Sequence, residues 1–349
     1  MHRRFRGRIA ATALIVLVGA GTLSACGDDS DGGKSGSSAP LKLGYFPNIT
    51  HATALVGVQK GIFAKHLGVA PKTATFNAGP AAVEAVFSGA VDATFVGPNP
   101  AINAWAKSHG KAIKIISGAA SGGVALVVKP GIKSAADLKG KKIATPQLGN
   151  TQDVAVRYWL KKNGLTANKD GSGDVKVVPQ DNAQTLQTFA QGSIDGAWVP
   201  EPYASRLILE SKGVKLLDES SLWPGGKFVI TNLIVRQDFA KKHPDQVKKL
   251  LEGVVESTDF INAHQAEAKQ AANDALTKLS GKPLKPAILD AAFKEITFTT
   301  DPVSSSLVQG AQHAEEIGLL EKTDLNGIYD LGPLNEVLKA NGKAQVSDK

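Results

Sequence analysis

Two carboxylates and two polar clusters carry most of the chemistry this sequence offers. The carboxylates are Asp153 and Glu201; the clusters are "PNITH" (47–51) and "LGNTQD" (148–153). A carboxylate pair can exchange protons with a substrate, or it can receive an ammonium group. Nothing near the pair supplies a nucleophile or a catalytic motif, so no catalytic residue is assigned. His51 has no His or Cys neighbour at ligand spacing, which argues against a zinc site. The other histidines of the body, His66, His109, His243, His264 and His313, are scattered among helical segments. "GKK" (140–142) and the glycine pairs at 122–123 and 225–226 lack the surroundings of a phosphate-binding loop. No metal and no cofactor is expected.

The elements that must position these residues read as alternating short apolar runs and helical patterns. "LKLGYF", "ATFVG", "IKIISG", "VALVVK", "KIATP", "VKVVP", "DGAWVP", "VKLLD" and "FVITNLIVR" are strand-like. "AAVEAVFSG", "AINAWAKSHG", "DVAVRYWLKKNG", "AQTLQTFAQG" and "YASRLILESKG" are helix-like, each ending in glycine. Such alternation predicts an α/β fold with largely parallel sheets. From Asp238 to about Leu279, and again from Ser304 to Leu319, the pattern is amphipathic helix. The last residues, "KANGKAQVSDK", read as frayed.

A faint internal repeat runs through the alternation. "SGAVDATFVGPNPA" (88–101) and "QGSIDGAWVPEPYA" (191–204) match Asp92 with Asp195 and Phe95 with Trp198. "LKLGYFPNITHATA" (41–54) and "KKIATPQLGNTQDVAV" (141–156) each run strand, proline, Asn and Thr, helix. Two similar α/β halves would produce this pattern. In open α/β sheets ligands sit beyond the carboxyl ends of strands, and each repeated motif marks such an end followed by a helix start. Asn99 before Pro100, Gly79 with Pro80, Glu201 before Pro202, Asn150 with Thr151, and Asn48 or Thr50 read as helix-start residues. Helix starts present unpaired amide donors and partial positive charge, so several aimed at one cleft would hold an anionic head group. Each cap also has a plain role, satisfying backbone donors for about 1 kcal/mol; the repetition favours the ligand. Trp105, Trp159 and Trp223 are read as packing residues. Trp198, at a strand end, is a candidate pocket wall.

The ends bound the compartment. Arg3, Arg4, Arg6 and Arg8 precede the apolar "IAATALIVLVGAGTL", which is short for a membrane span, and then "LSAC" ends at Cys26. That is the pattern of an export signal, and "LSAC" resembles a bacterial lipobox, which would lipidate Cys26. Cys26 is the single cysteine, so no disulfide can form within the chain. Residues 26–40, rich in Gly, Ser and Asp, read as a flexible tether after a 1–25 signal peptide. The net charge is +8. The four signal arginines carry half of it, leaving a mature surface of about +4 with mixed signs and no nucleic-acid footprint. The length of the remainder predicts two lobes.

In order along the chain, "LGYFPNITHATALVGVQKGIFAKHLG" (43–68), "SGAVDATFVGPNPAINA" (88–104), "SAADLKGKKIATPQLGNTQDVAVRYWL" (134–160), "GSIDGAWVPEPYASRL" (192–207) and "TNLIVRQDFAKKHPD" (231–245) resemble the solute-binding proteins of bacterial ABC importers. The subgroup resembled is that of nitrate, taurine and aliphatic sulfonate binders. The resemblance covers about residues 41–320. It implies a two-lobed periplasmic-binding-protein fold of type II, each lobe a mixed, mostly parallel sheet flanked by helices. Lobe 1 would take 41–125 and 231–345, and lobe 2 would take 126–230. A small-molecule solute would lie between the lobes, and closure would signal to an ABC permease; a monomer anchored by its lipid is implied. By the matched motifs the ligand-binding candidates in lobe 1 are Asn48, Thr50, His51, Gly79, Pro80, Asn99 and Ser121. Lobe 2 would add Gly149, Asn150, Thr151, Gln152, Asp153, Trp198 and Glu201.

One departure bears on the ligand. Sulfonate binders of this group tend to begin the lobe 2 helix with Gly and small hydroxyl residues, whereas here Asp153 stands near that start. With Glu201 it would bring two carboxylates to the cleft, and no arginine is among the candidates. That set suits a zwitterion such as taurine, or a thiamine-precursor-type pyrimidine, better than a simple dianion. The alternatives are therefore a pyrimidine binder on the same fold or a pyrimidine-biosynthesis-like enzyme of that fold. The export signal argues against the enzyme. A ligand-sensing module of a regulator lacks any helix-turn-helix segment to support it.

Overall fold

A computed structural model describes residues 39–348. The expected signal peptide and lipobox cysteine and most of the expected tether lie outside the described residues. Among the described residues, eleven strands form two sheets. The strands are β1 (Lys42–Tyr45), β2 (Lys72–Thr75), β3 (Ala93–Val96), β4 (Ile113–Gly122), β5 (Val124–Val128), β6 (Lys142–Thr145), β7 (Lys176–Pro179), β8 (Gly196–Pro200), β9 (Val214–Asp218), β10 (Val229–Arg236) and β11 (Ile296–Phe298). The first sheet runs β11-β4-β10-β3-β1-β2 and the second β7-β6-β8-β5-β9. In each, three parallel strands are joined by antiparallel ones: β10 pairs antiparallel with β3 and β4, and β5 pairs antiparallel with β8 and β9. β4 leads into β5 across Gly123, so the chain leaves the first sheet there; it returns between Asp218 and Val229.

Both sheets are covered on both faces, which is why their inner strands are apolar without alternation. β5 shows the division. Val124, Leu126 and Val128 face one cluster, with Ile143, Leu160, Val177 and Trp198. Ala125 and Val127 face the other, with Phe189, Val199 and Leu207. The first sheet packs Leu43, Tyr45 and Leu233 against Leu55, Phe63 and Leu250, and its other face against Val83, Ile102, Trp105 and Leu307.

The repeat has a structural counterpart. Tyr45 pairs with Thr75 and Thr145 with Pro179, in the same register of the two halves. Asp92 Oδ2 accepts the Lys42 N–H at 2.9 Å, and Asp195 Oδ2 accepts the Lys142 N–H at 2.8 Å. Each carboxylate pins the start of its β1-type strand to the loop before the third strand. Phe95 and Trp198, matched in sequence, are both fully buried.

Three expectations need correction. The long helical stretch is broken by His243 and His264 into Gln237–Lys242, Pro244–Ala263 and Gln265–Ser280. The edge strands β2 and β11 were not anticipated; "KTAT" is polar and mostly exposed, and "ITF" is only three residues long. The C-terminal tail is not frayed throughout. Helix Gly332–Ala340 buries Leu334, Val337 and Leu338, and Asn335 then exchanges two hydrogen bonds with the Val346 backbone at 3.0 and 2.9 Å.

Asp92→Ala and Asp195→Ala each remove an acceptor from a strand N–H. Each is expected to lower the unfolding free energy by about 1–2 kcal/mol, measured by urea denaturation. Asp92→Ala should cost more, since Asp92 is buried and meets both Lys42 and Arg236, at 3.8 and 3.7 Å, whereas the more exposed Asp195 meets Lys141 at 3.8 Å.

Candidate functional site

The site forms where helix starts from the two halves meet. After β1 the chain turns at Phe46–Pro47 and enters a short 3-10 turn, Ile49–His51, that continues into helix Ala52–Gln59. Asn48 is extended at the cap position, yet its side chain makes no cap bond. Its Oδ1 instead accepts the Thr50 hydroxyl at 3.0 Å. From the other half, Asn150 caps helix Thr151–Lys162, its Oδ1 accepting the Gln152 N–H at 2.9 Å. The Thr151 hydroxyl is buried and has no protein partner. It lies against Gly97, the residue before helix Pro98–Lys107, so closely that a Cβ there would stand 2.5 Å from Thr151 Oγ1. Only glycine lets these two helix starts approach.

The cavity between them has about 20 Å3 of free volume, the room of roughly one water molecule. Asn48, Thr50, His51, Asn150, Thr151 and Gln152 line it as anticipated from sequence. Phe46, Asn77, Gly97, Pro146, Asn182, Pro200 and Ile230 line it as well. No Asp, Glu, Lys or Arg is among these residues. Across the seam, the Ile49 N–H donates to the Glu201 carbonyl at 3.0 Å; within the first half, the Thr231 hydroxyl donates to the Thr50 carbonyl at 3.0 Å.

His51 is the residue whose chemical state is best defined. Its Nδ1 accepts the Phe46 N–H at 3.2 Å, and its ring stacks on Phe46 with centroids 4.3 Å apart. An accepting Nδ1 leaves the proton on Nε2. Burial pushes the pKa down to about 3, so the imidazole is neutral across the physiological range. It offers a neutral N–H rather than a positive charge.

The other sequence candidates do not line the cavity. Gly79 is a packing glycine whose Cβ would collide with the Pro100 ring at 2.1 Å; it and Pro80 belong to helix Gly79–Phe87, capped by Ala78. Asn99 lies one residue inside its helix and donates to the Gly310 carbonyl at 3.0 Å; the cap is Gly97 and the leading proline Pro98. Ser121 Oγ accepts the Phe228 N–H at 3.4 Å, tying the crossover strands. The Gly149 N–H is turned to Asp153. Trp198 is wholly buried, its indole N–H donating to Glu219 at 2.6 Å.

Neither carboxylate faces the cavity, which removes the argument drawn from them. Asp153 is fully buried and accepts from the Thr145 hydroxyl at 3.0 Å, the Gly149 N–H at 3.0 Å and Arg157 Nε at 3.1 Å. Arg157, one turn along the same helix, neutralises it. Glu201 turns to its own helix, accepting the Ser205 N–H at 3.1 Å and hydroxyl at 2.9 Å. Burial lifts its pKa to about 7, and burial does the same to Glu219.

Asn182 and Asn77 were reachable by the strand-end rule. Asn182 opens helix Asn182–Ala190 just after β7, and Asn77 follows β2, whose polar sequence hid the strand. Phe46, Pro146 and Pro200 also follow or end strands; Ile230 carried no signal.

Glu201 and Glu219 hold their protons more tightly folded, near pH 7, than in the unfolded chain, near 4.5. The stability they confer is therefore full below about pH 4.5 and is lost as pH rises through 7. Glu219→Gln keeps an acceptor for Trp198 without the ionisation. It should flatten that decline by up to roughly 3 kcal/mol, read from urea midpoints at pH 5 and pH 8.

Comparison with known proteins agrees with this architecture. The model of the NMT1-like family matches residues 34–276. A putative binding protein of Brucella abortus (strain 2308) is 29% identical over 232 residues, covering 66% of this chain and 69% of the relative. The taurine-binding periplasmic protein of Escherichia coli (strain K12) is 27% identical over 277 residues, 76% of this chain and 83% of its own. Among solved structures, the alkanesulfonate-binding protein SsuA from Xanthomonas axonopodis pv. citri, bound to MOPS, superposes with a TM-score of 0.66. It is 20% identical, with 82% of this chain and 95% of the other covered. These relatives are binding proteins rather than enzymes, and the fold is that of periplasmic binding proteins. With two crossings between two sheets, helix starts meeting at an uncharged cavity, and a family model spanning most of its length, the chain belongs to the NMT1-like family.

Proposed function

We propose that the protein is the solute-binding component of an ABC importer, exported and held by a lipid on Cys26 at the outer face of the membrane. It captures a small organic anion of the sulfonate class between two lobes and presents it, as a monomer, to a permease. Lobe 1 takes about 41–125 and 231–345 and lobe 2 takes 126–230. The crossover strands meeting at Gly123, and the return to β10, act as the hinge.

The observation that carries the reading is the donor set of the cavity. The starts of two helices, the neutral Nε2–H of His51 and the unpartnered hydroxyl of Thr151 converge where no charged side chain stands. Neutral donors fixed in place recognise a tetrahedral oxoanion by hydrogen bonds and helix-end potential. The carboxylates that pointed to a thiamine-type cation are occupied elsewhere, and one face of Phe46 is covered by His51.

Calorimetric titration against methanesulfonate, taurine, nitrate and a pyrimidine should give binding with the sulfonates. Asn150→Ala and Thr151→Val should each weaken it by about tenfold, whereas Glu201→Gln should bind as wild type. His51 keeps one charge state above about pH 3, so its contribution to affinity should stay constant between pH 5.5 and 8. A panel in which no sulfonate binds would sink the reading. For the anchor, Cys26→Ser should move the protein from the membrane to the soluble fraction on cell fractionation.

A further inference from the structure

The inner cavity is too small for an organic solute of any length, yet a second, larger space adjoins it. The outer hollow holds about 480 Å3 and is lined by Phe76, Pro146, Gln147, Pro179, Asp181 and, at the boundary, Asn77. Asn77 and Pro146 line both spaces. At this boundary one hydrogen bond, Asn77 Nδ2 to Asp181 Oδ2 at 3.0 Å, spans two exposed side chains. Exposed polar pairs of this kind are weak and readily exchanged.

The two partners occupy equivalent places. Thr75 and Pro179 end β2 and β7 in the same register, and Asn77 and Asp181 each stand two residues beyond. The bond thus joins the two halves at matching edge loops, where separation of the halves must break it. Just inside lies Asn182, whose side chain is 6% exposed and whose Oδ1 has no protein partner. A buried acceptor of this kind is costly unless a donor reaches it, a water molecule or an N–H or O–H of a solute.

We propose that the outer hollow is a tail subsite, and that Asn77–Asp181 is the gate setting which solutes fit. This rests on the sulfonate reading of the inner cavity. The head group sits among the helix starts, the linking atoms pass Asn182, and the remainder lies against Phe76, Pro146 and Pro179. Asp181 is the one charged side chain lining the hollow, so the subsite takes a neutral or cationic tail and rejects a second anionic group.

Calorimetry with methanesulfonate, propanesulfonate, hexanesulfonate and 1,3-propanedisulfonate tests this on the full chain. Asp181 makes no side-chain cap bond to its helix, so Asp181→Ala opens the gate without uncapping. It should lower the ratio of hexanesulfonate to methanesulfonate dissociation constants by about fivefold, whereas Asp181→Asn, which keeps an acceptor for Asn77, should hold that ratio within about twofold. The disulfonate should bind wild type about tenfold more weakly than propanesulfonate and recover in both variants, which lack the charge. Equal ratios in the two variants, or a disulfonate bound as well as propanesulfonate by wild type, would overturn the proposal. If wild type binds no sulfonate, the head-group reading fails and the gate is judged separately. A thiol placed inside by Gln152→Cys, with Cys26→Ser, should react with a charged thiosulfonate reagent about threefold faster when Asp181→Ala is added; an unchanged rate would refute the gate.

Discussion

The close approach of Gly97 to Thr151 is the constraint on which the rest of this molecule depends. Two helix starts, one from each sheet, come together with no room for a side chain between them. Like ends of two helix dipoles repel; helix starts leave backbone donors unsatisfied, though Pro98 and Pro100 carry none on the Gly97 side. The Asn150 side chain relieves one donor, that of Gln152. The remaining potential is directed at the space between Asn48, Thr50, His51 and Thr151. Such a junction is least strained when an anion occupies it. On the proposed function, that would tie closure of the halves to capture of a solute without any charged side chain taking part.

Charge is handled by removal from this junction. Asp153, which would have placed a negative charge close to the helix start, is cancelled by Arg157, whose Nη1 donates to the carbonyls of Ala167 and Asn168 at 2.9 and 2.8 Å. Glu201 and Glu219 are buried deeply enough to keep their protons to about pH 7. His51 is buried deeply enough to lose its own. Burial, the same cause, acts in opposite directions on acids and base and leaves the cleft surroundings close to neutral. Selectivity then lies in geometry and hydrogen bonding, where small changes in donor placement discriminate strongly.

The fold was largely legible because its inner strands are apolar runs and its helices end in glycine. Asp92 and Asp195 could be matched in sequence because their shared task, holding a strand N–H, tolerates few side chains. What escaped was governed by contacts rather than by pattern. β2 carries the sequence "KTAT" because an exposed edge strand has no core to face. Gly79 and Asn99 resembled cavity residues, but one is a helix-packing contact with Pro100 and the other binds the Gly310 carbonyl. Strand-end position identifies where a ligand can bind; it does not say which way a side chain turns. Asp153 shows this most clearly, since its partner Arg157 stands four residues on, and an i,i+4 pair can be solvent-exposed or, as here, fully buried.

The exchange of strands between the sheets has a consequence for how the chain is made. β3 and β4 flank β10 in the finished sheet, yet β10 follows them by more than a hundred positions. The second sheet, by contrast, is drawn wholly from the continuous segment Val124–Asp218. A chain emerging from its N-terminus therefore carries two inner strand edges of the first sheet with backbone groups unpaired, while the second sheet can already close. Unpaired edges of that length invite pairing with other chains. Topology thus favours one order of assembly: the inserted half can close as a unit, and the half that encloses it needs its last strand.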